Sequence, residues 1–121
     1  MKIVLAGTPS FSLETFEKII KSFDVVALIA QPDRKIGRKQ ILTPPPTIEL
    51  AQKYNIKTYQ PEKISEIYQE LATLEFDIFL TMAYGQIIPQ NILSLAKLGS
   101  FNIHASLLPK YRGAAPIQYA I

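Results

Sequence analysis

The chain has 121 residues, of which 48% are hydrophobic and 10% aromatic, a composition that excludes an intrinsically disordered protein. It has no apolar run long enough for a membrane span, and without cysteine it has no disulfide framework and no thiolate metal site, which fits a cytoplasmic enzyme. The formal net charge is +3, and residues 31–46 hold four basic residues against one acid, so this segment is expected to contact a polyanion.

The first half of the chain predicts a strand, a helix and a second strand, followed by a loop. Residues 2–6 predict a short buried strand, and the helix after it has an apolar stripe formed by Leu13, Phe16, Ile19, Ile20 and Phe23. Residues 24–30 are almost all apolar and rich in branched side chains, as in a strand covered on both faces. Residues 31–46 have no periodicity and include a triple proline, which predicts a long loop.

The second half continues the alternation of helices and strands. Helices are predicted at residues 47–54, 62–75 and 90–96, and strands at residues 56–59, 76–82 and 100–105. This order predicts an α/β fold with a doubly wound, mostly parallel sheet. A last helix is expected from about Pro116, and because Ile121 falls inside it without a helix-ending signal, we expect the chain to be the N-terminal part of a longer protein.

The strand predicted at residues 100–105 carries the only histidine of the chain. Strand alternation puts Asn102, His104 and Ser106 on one face and the apolar residues between them on the other. This polar face leads to the carboxyl end of a strand, where open α/β sheets bind ligands. An amide and an imidazole there could stabilise an oxyanion and move a proton. The alternative is a core histidine bonded to a backbone carbonyl, and the residue types alone leave both interpretations open.

The remaining motifs favour structural interpretations when each is taken alone. The turn at residues 6–9 could bind a phosphate, but it has one glycine instead of a dinucleotide fingerprint, so a tight strand-to-helix turn is preferred. Ser106 lacks the G-x-S-x-G context of a hydrolase nucleophile, and a single histidine disfavours a zinc site. The basic segment could bind RNA phosphates or could be a solvated mobile loop. Residues 84–88 could line an apolar pocket or simply cap a strand.

Together, four motifs resemble the folate-dependent formyltransferases. They are AGTPSF after the first strand, QPDRKIGR in the basic segment, AYGQIIP after the fourth strand and NIHASLLPKYRGAAPIQ at the end, and they extend over the whole chain. The resemblance implies a Rossmann-like formyltransferase fold, truncated at its C-terminal side. Residues 1–121 would be the N-terminal portion of the catalytic domain, and the rest of that domain and a C-terminal β-barrel domain would lie beyond this chain.

The resemblance also implies a reaction. A formyl group would pass from 10-formyltetrahydrofolate to the α-amine of initiator methionyl-tRNA, in the cytoplasm, at translation initiation and without a metal ion. Asn102 and His104 would be two of three catalytic residues. The third, an aspartate, would lie beyond Ile121, so the isolated chain is expected to be inactive. We expect the protein to be a monomer with no membrane contact.

Binding residues follow from the same resemblance. Ser106, Leu107, Leu108 and Pro109 would form a folate-binding loop, and Gln86, Ile87 and Ile88 would form part of a pterin pocket with largely backbone contacts. The basic segment resembles a loop that is inserted at the acceptor end of tRNA, with contacts from Arg34, Lys35, Arg38 and Lys39. Two alternatives stay open: a formyltransferase or hydrolase of the same fold with a small-molecule acceptor, and a non-catalytic fragment that binds folate or RNA.

Overall fold

The computed structural model describes residues 1–104 and the backbone of residues 117–119. Its strands are β1 (Lys2–Gly7), β2 (Asp24–Ile29), β3 (Arg34–Ile36), β4 (Ile41–Thr43), β5 (Thr58–Tyr59), β6 (Ile78–Met82), β7 (Gly99–Ile103) and β8 (Ile117–Tyr119). Its α-helices are α1 (Leu13–Ser22), α2 (Pro46–Lys53), α3 (Tyr68–Leu74) and α4 (Gln90–Leu93), and 3-10 helices occur at Ser10–Ser12 and Ile64–Ile67.

The main sheet has the strand order β5-β2-β1-β6-β7-β8. The first five of these strands are parallel to their neighbours, which confirms the predicted α/β fold with its mostly parallel sheet. Crossover helices connect parallel strands because a tight hairpin cannot. In this sheet β1, β6 and β7 lie side by side, and because they are parallel, their carboxyl ends lie at one edge of the sheet.

Helices cover both faces of the sheet, as the doubly wound prediction requires. Alternating residues of β1 point to opposite faces, so two buried clusters form. On one face, Ile3 and Leu5 pack with side chains of α1 and α2, namely Phe16, Ile48 and Ala51. On the other face, Val4 and Ala6 pack with Leu71 of α3, Ile92 of α4 and residues of the 3-10 helix at Ile64–Ile67. None of the helices in the described part of the chain has the length and apolarity that a membrane crossing needs.

The helix predicted from about Pro116 is wrong at the residues that the structure describes. Ile117–Tyr119 form β8, which pairs antiparallel with β7 through Phe101 and Tyr119 and through Ile103 and Ile117. Branched and aromatic residues favour strands, and pairing here satisfies the outer backbone groups of β7. The predicted helix at residues 62–75 is also divided, into a 3-10 helix at Ile64–Ile67 and α3.

The long loop predicted at residues 31–46 is wrong in its centre, because β3 and β4 form an antiparallel hairpin there. Arg34 faces Thr43, and Ile36 faces Ile41 across the two strands. Gly37, with a φ of 76°, and Gln40, with a φ of 51°, take left-handed conformations in the connecting turn. Each strand has only three residues, too few for the alternation that marks a longer strand.

Candidate functional site

The carboxyl edge of the sheet contains an open cleft of about 400 Å³. Its lining includes Phe11, Thr81, Gln86, Ile88, Asn102 and His104. These residues come from β6, from β7 and from the segments that follow β1 and β6, so the parallel sheet collects them at one place. Clefts at this edge of open α/β sheets are common ligand sites.

Asn102 of β7 and His104, the first residue after that strand, are brought into contact, on the same side as the predicted alternation places them. Asn102 Nδ2 lies 3.1 Å from His104 Nε2. His104 is exposed and lines the cleft, so the alternative interpretation as a buried core histidine is wrong. A side-chain amide beside an imidazole offers one hydrogen-bond donor and one group that can accept or release a proton.

Thr81 fixes the direction of the Asn102 amide. The two residues are opposite each other in neighbouring parallel strands, and the Thr81 hydroxyl donates to Asn102 Oδ1 at 3.0 Å. The Asn102 NH2 group is therefore directed to His104. When that NH2 group donates to Nε2, the imidazole is neutral with its proton on Nδ1. Sequence reasoning missed Thr81 because it belongs to an apolar strand and reads as a core residue.

The segment after β6 bends sharply around Ala83, with a φ of 51°, and Gly85, with a φ of 94°. The hydroxyl of Thr8 donates to the backbone oxygen of Tyr84 at 3.0 Å and holds this bend against the end of β1. Thr8 lies between β1 and the 3-10 helix at Ser10–Ser12. Sequence reasoning missed it too, because a threonine in a turn carries no distinct sequence signal.

The predicted pterin residues Gln86, Ile87 and Ile88 differ from one another in the structure. The Gln86 side chain donates to Gln31 Oε1 at 2.8 Å and accepts from the backbone N–H of Ile64 at 2.9 Å, so it is committed to internal bonds. Ile88 is half-buried and lines the cleft, whereas Ile87 is 95% exposed. Within the described residues, the backbone groups of Ile87 and Ile88 make no hydrogen bond. Peptide groups that are not hydrogen-bonded within the protein can bind the polar edge of a ring.

Tyr84 is buried beside this segment. It is only 3% exposed, and its hydroxyl finds no hydrogen-bond partner within the described residues. Burial raises the pKa of Tyr84 to about 12. The phenol is therefore neutral near pH 7 and cannot serve there as a general base.

The four predicted tRNA-contacting residues, Arg34, Lys35, Arg38 and Lys39, lie on the β3–β4 hairpin and are exposed. None of them forms an ion pair in the part of the chain that the structure describes. Their acidic neighbour Asp33 accepts a hydrogen bond from Gln60 Nε2 at 2.6 Å. The apolar residues Ile36, Ile41 and Leu42 are also more than half exposed, so the hairpin presents a basic and partly apolar surface.

The turn at residues 6–9 has a structural role, as the sequence favoured. A Cβ on Gly7 would lie 2.6 Å from the Phe16 ring and 2.7 Å from the backbone oxygen of Met82. The Thr47 hydroxyl donates to the Gly7 oxygen at 2.7 Å. The missing Cβ of Gly7 thus allows α1 and the end of β6 to approach the end of β1.

Two other predictions from the sequence concern the folate-binding loop and the absence of a metal ion. The predicted folate-binding loop, Ser106, Leu107, Leu108 and Pro109, lies outside the described residues. In residues 1–104, no group of three or more His, Asp or Glu side chains is arranged to hold a metal ion.

Comparisons with known proteins agree with this architecture. The chain matches a family model described as formyl transferase over residues 1–121. It is 60% identical to a methionyl-tRNA formyltransferase of Mycoplasmopsis pulmonis, over all of this chain and 42% of the relative. It is 51% identical to the methionyl-tRNA formyltransferase of Staphylococcus aureus strain JH1, over 99% of this chain and 39% of the relative. The chain thus spans about two fifths of the length of these relatives.

Solved structures show the same fold. A phosphoribosylglycinamide formyltransferase from Bacillus halodurans aligns with a TM-score of 0.62 at 20% identity, over 93% of this chain and 60% of that protein. A sugar 3-N-formyltransferase, solved in the presence of dTDP and 5-N-formyl-THF, aligns with a TM-score of 0.51 at 28% identity, over 94% of this chain and 38% of that protein. With its parallel sheet, its polar carboxyl edge and a family match along its whole length, the chain belongs to the formyl transferase family.

Proposed function

We propose that this chain supplies the donor pocket and two catalytic residues of an enzyme that moves a formyl group from 10-formyltetrahydrofolate to the α-amine of initiator methionyl-tRNA. The observation that carries the proposal is the contact between Asn102 and His104 at the rim of the cleft. Membership of the formyl transferase family gives that pair a reaction, and the names of the relatives suggest the acceptor.

The reaction begins when the lone pair of the free amine attacks the formyl carbon. The carbonyl oxygen becomes an oxyanion, and the Asn102 NH2 group donates a hydrogen bond to it. The bond from carbon to the folate nitrogen then breaks, the amine nitrogen loses a proton and the folate nitrogen gains one. His104 either shares the stabilisation of the oxyanion or carries the proton between these nitrogens. No metal ion and no covalent enzyme intermediate enter this sequence of steps.

For the donor, we propose that the peptide groups at Gln86, Ile87 and Ile88 bind the polar edge of the pterin ring. The backbone groups of Ile87 and Ile88, which make no hydrogen bond to any described residue, support this role, and so does the half-buried Ile88 side chain, which offers an apolar contact. The loop of Ser106, Leu107, Leu108 and Pro109 would complete the pocket. The Gln86 side chain would act indirectly, since its amide is already bonded within the protein.

For the acceptor, we propose that the β3–β4 hairpin contacts the acceptor end of the tRNA. Arg34, Lys35, Arg38 and Lys39 are exposed and have no ion pair within residues 1–104, so their charge is available to phosphates. Asp33 is the nearby acid in sequence, and its bond to Gln60 occupies one of its carboxylate oxygens. Residues 1–121 would form the N-terminal portion of the catalytic domain of a monomeric cytoplasmic enzyme.

A competition assay with the complete protein encoded by the gene tests this function. Labelled formyl transfer from 10-formyltetrahydrofolate is measured with charged methionyl-tRNA and glycinamide ribonucleotide present together. We expect label on the tRNA alone, and almost none with Asn102→Ala. Label on glycinamide ribonucleotide would assign a small-molecule acceptor, and label on neither with folate still bound would indicate a binding protein.

The same assay tests the hairpin. For Arg38→Ala we expect a higher KM for tRNA and a slope of log affinity against log salt that is smaller by about one. Lys18→Ala is the matched control, since it removes an exposed lysine of α1. Equal behaviour of the two variants would remove the hairpin from the tRNA interface.

A further inference from the structure

A side-chain amide links two regions that the proposed function treats separately. Gln31 follows β2 at the start of the segment that leads into the hairpin. Its Oε1 accepts from Gln86 Nε2 at 2.8 Å, across 55 residues of sequence. Its backbone N–H donates to the Thr8 hydroxyl at 3.3 Å, which in turn donates to the backbone oxygen of Tyr84. Gln31 is therefore connected twice to the segment proposed to bind the pterin.

The base of the hairpin joins the same network through Gln60. Gln60 Nε2 donates to the backbone oxygen of Gln31 at 3.1 Å and to Asp33 Oδ1 at 2.6 Å. Asp33 directly precedes β3. A shift of the hairpin base would thus act on residue 31 and, through its side chain, on Gln86.

Gln86 connects Gln31 to residues 86–88, the segment proposed to bind the donor. Besides Gln31, its side chain bonds the backbone oxygen of Pro61 at 3.2 Å and the backbone N–H of Ile64 at 2.9 Å. These bonds are partly buried, so breaking one leaves polar groups without full access to water. Gly85 permits the close approach, since a Cβ there would lie 2.8 Å from Gln31 Nε2.

We propose that Gln31 is a positioning residue that fixes the donor-binding segment to the base of the β3–β4 hairpin. It touches neither reacting group. It sets the orientation of Gln86, and Gln86 sets the orientation of the adjacent peptide groups of Ile87 and Ile88. This inference rests on the proposed function, because it requires that the segment bind the folate donor.

The test measures the Kd of 5-formyltetrahydrofolate, a stable analogue of the donor, on the complete protein, together with KM and kcat for formyl transfer. For Gln31→Met, which keeps the side-chain length but has no acceptor oxygen, we expect Kd and donor KM to rise by about three- to tenfold with kcat little changed. Gln31→Glu keeps an oxygen for Gln86 Nε2 and should restore Kd to within about twofold of the wild type.

A double-mutant cycle isolates the contact between the two amides. Gln86→Met removes the shared bond and also the bonds to Pro61 and Ile64, so it should raise Kd at least as much as Gln31→Met. The double variant should be no worse than Gln86→Met alone, because that variant has already lost the shared bond. Additive losses would overturn the proposal, as would a Gln31→Met protein that binds the analogue like the wild type. If the wild-type protein itself binds no folate, the proposed function fails, and this proposal fails with it for that separate reason.

Gln60→Met tests the connection to the hairpin. Gln60 bonds residues 31 and 33 and is placed in neither proposed substrate site. We expect this variant to raise both the donor Kd and the KM for tRNA while the protein stays folded at the assay temperature. A rise in the KM for tRNA alone would show that the hairpin base does not position the donor segment, and would overturn the link.

Discussion

Thr81→Val is the most direct test of how Asn102 is oriented. The substitution preserves the shape of a side chain that is only 9% exposed, and it removes the hydroxyl that donates to Asn102 Oδ1 at 3.0 Å. A neutral hydrogen bond of this kind contributes about 1 kcal/mol net. If that energy holds the amide with its NH2 group toward the reacting oxygen, kcat should fall about fivefold, because about 1.4 kcal/mol corresponds to a tenfold change in rate.

The comparison with Asn102→Ala separates orientation from direct contact. Loss of an oxyanion donor costs about 100- to 1,000-fold in kcat, well beyond the effect expected for Thr81→Val. Single-turnover formyl transfer under saturating substrates measures both values. Thr81→Ser retains the hydroxyl and should stay close to the wild type. The orienting role of Thr81 would be refuted if Thr81→Val kept the full kcat while Asn102→Ala lost most of it.

Two predictions concern stability, measured by urea unfolding. Gly7→Ala should lose about 1–3 kcal/mol, because its Cβ would meet the Phe16 ring and the immobile backbone oxygen of Met82. Gly37→Ala, at a site with open space, should lose only the smaller cost of its positive φ, and equal losses would contradict the packing argument. Tyr84→Phe should gain about 1 kcal/mol, because it removes a buried hydroxyl that has no partner among the described residues. A loss of stability would show that this hydroxyl is bonded.

The strands and helices of the main sheet could be predicted because their patterns are long. β1 and β2 each contain a run of buried apolar residues, and α1 has its apolar stripe on one face. The β3–β4 hairpin could not be predicted in the same way. Its strands have three residues each, and its apolar residues Ile36, Ile41 and Leu42 are exposed, so no buried face imposes a periodic pattern.

The candidate site was only partly predictable for a different reason. Asn102 lies in β7 and His104 is the first residue after it, so their contact follows from local geometry. Thr81 bonds Asn102 across 21 residues, and Gln31 bonds Gln86 across 55 residues. Such contacts depend on strand order and register, which a single sequence does not specify. Gln86 illustrates the result: it lines the cleft, as the sequence suggested, and only the structure shows that its side chain is bonded to Gln31 and Ile64.

The exposed hairpin has a consequence for the solution behaviour of the protein. An isolated pair of short strands leaves backbone donors and acceptors unpaired along its outer edges, and such edges can recruit another copy of the chain. The exposed side chains of Ile36, Ile41 and Leu42 would stabilise such pairing by burying apolar surface. Arg34 and Lys35 lie on the same hairpin, and their mutual repulsion between copies opposes self-association. Neutralising all the basic residues at once would therefore risk aggregation, so single charge substitutions are the sound way to study this surface.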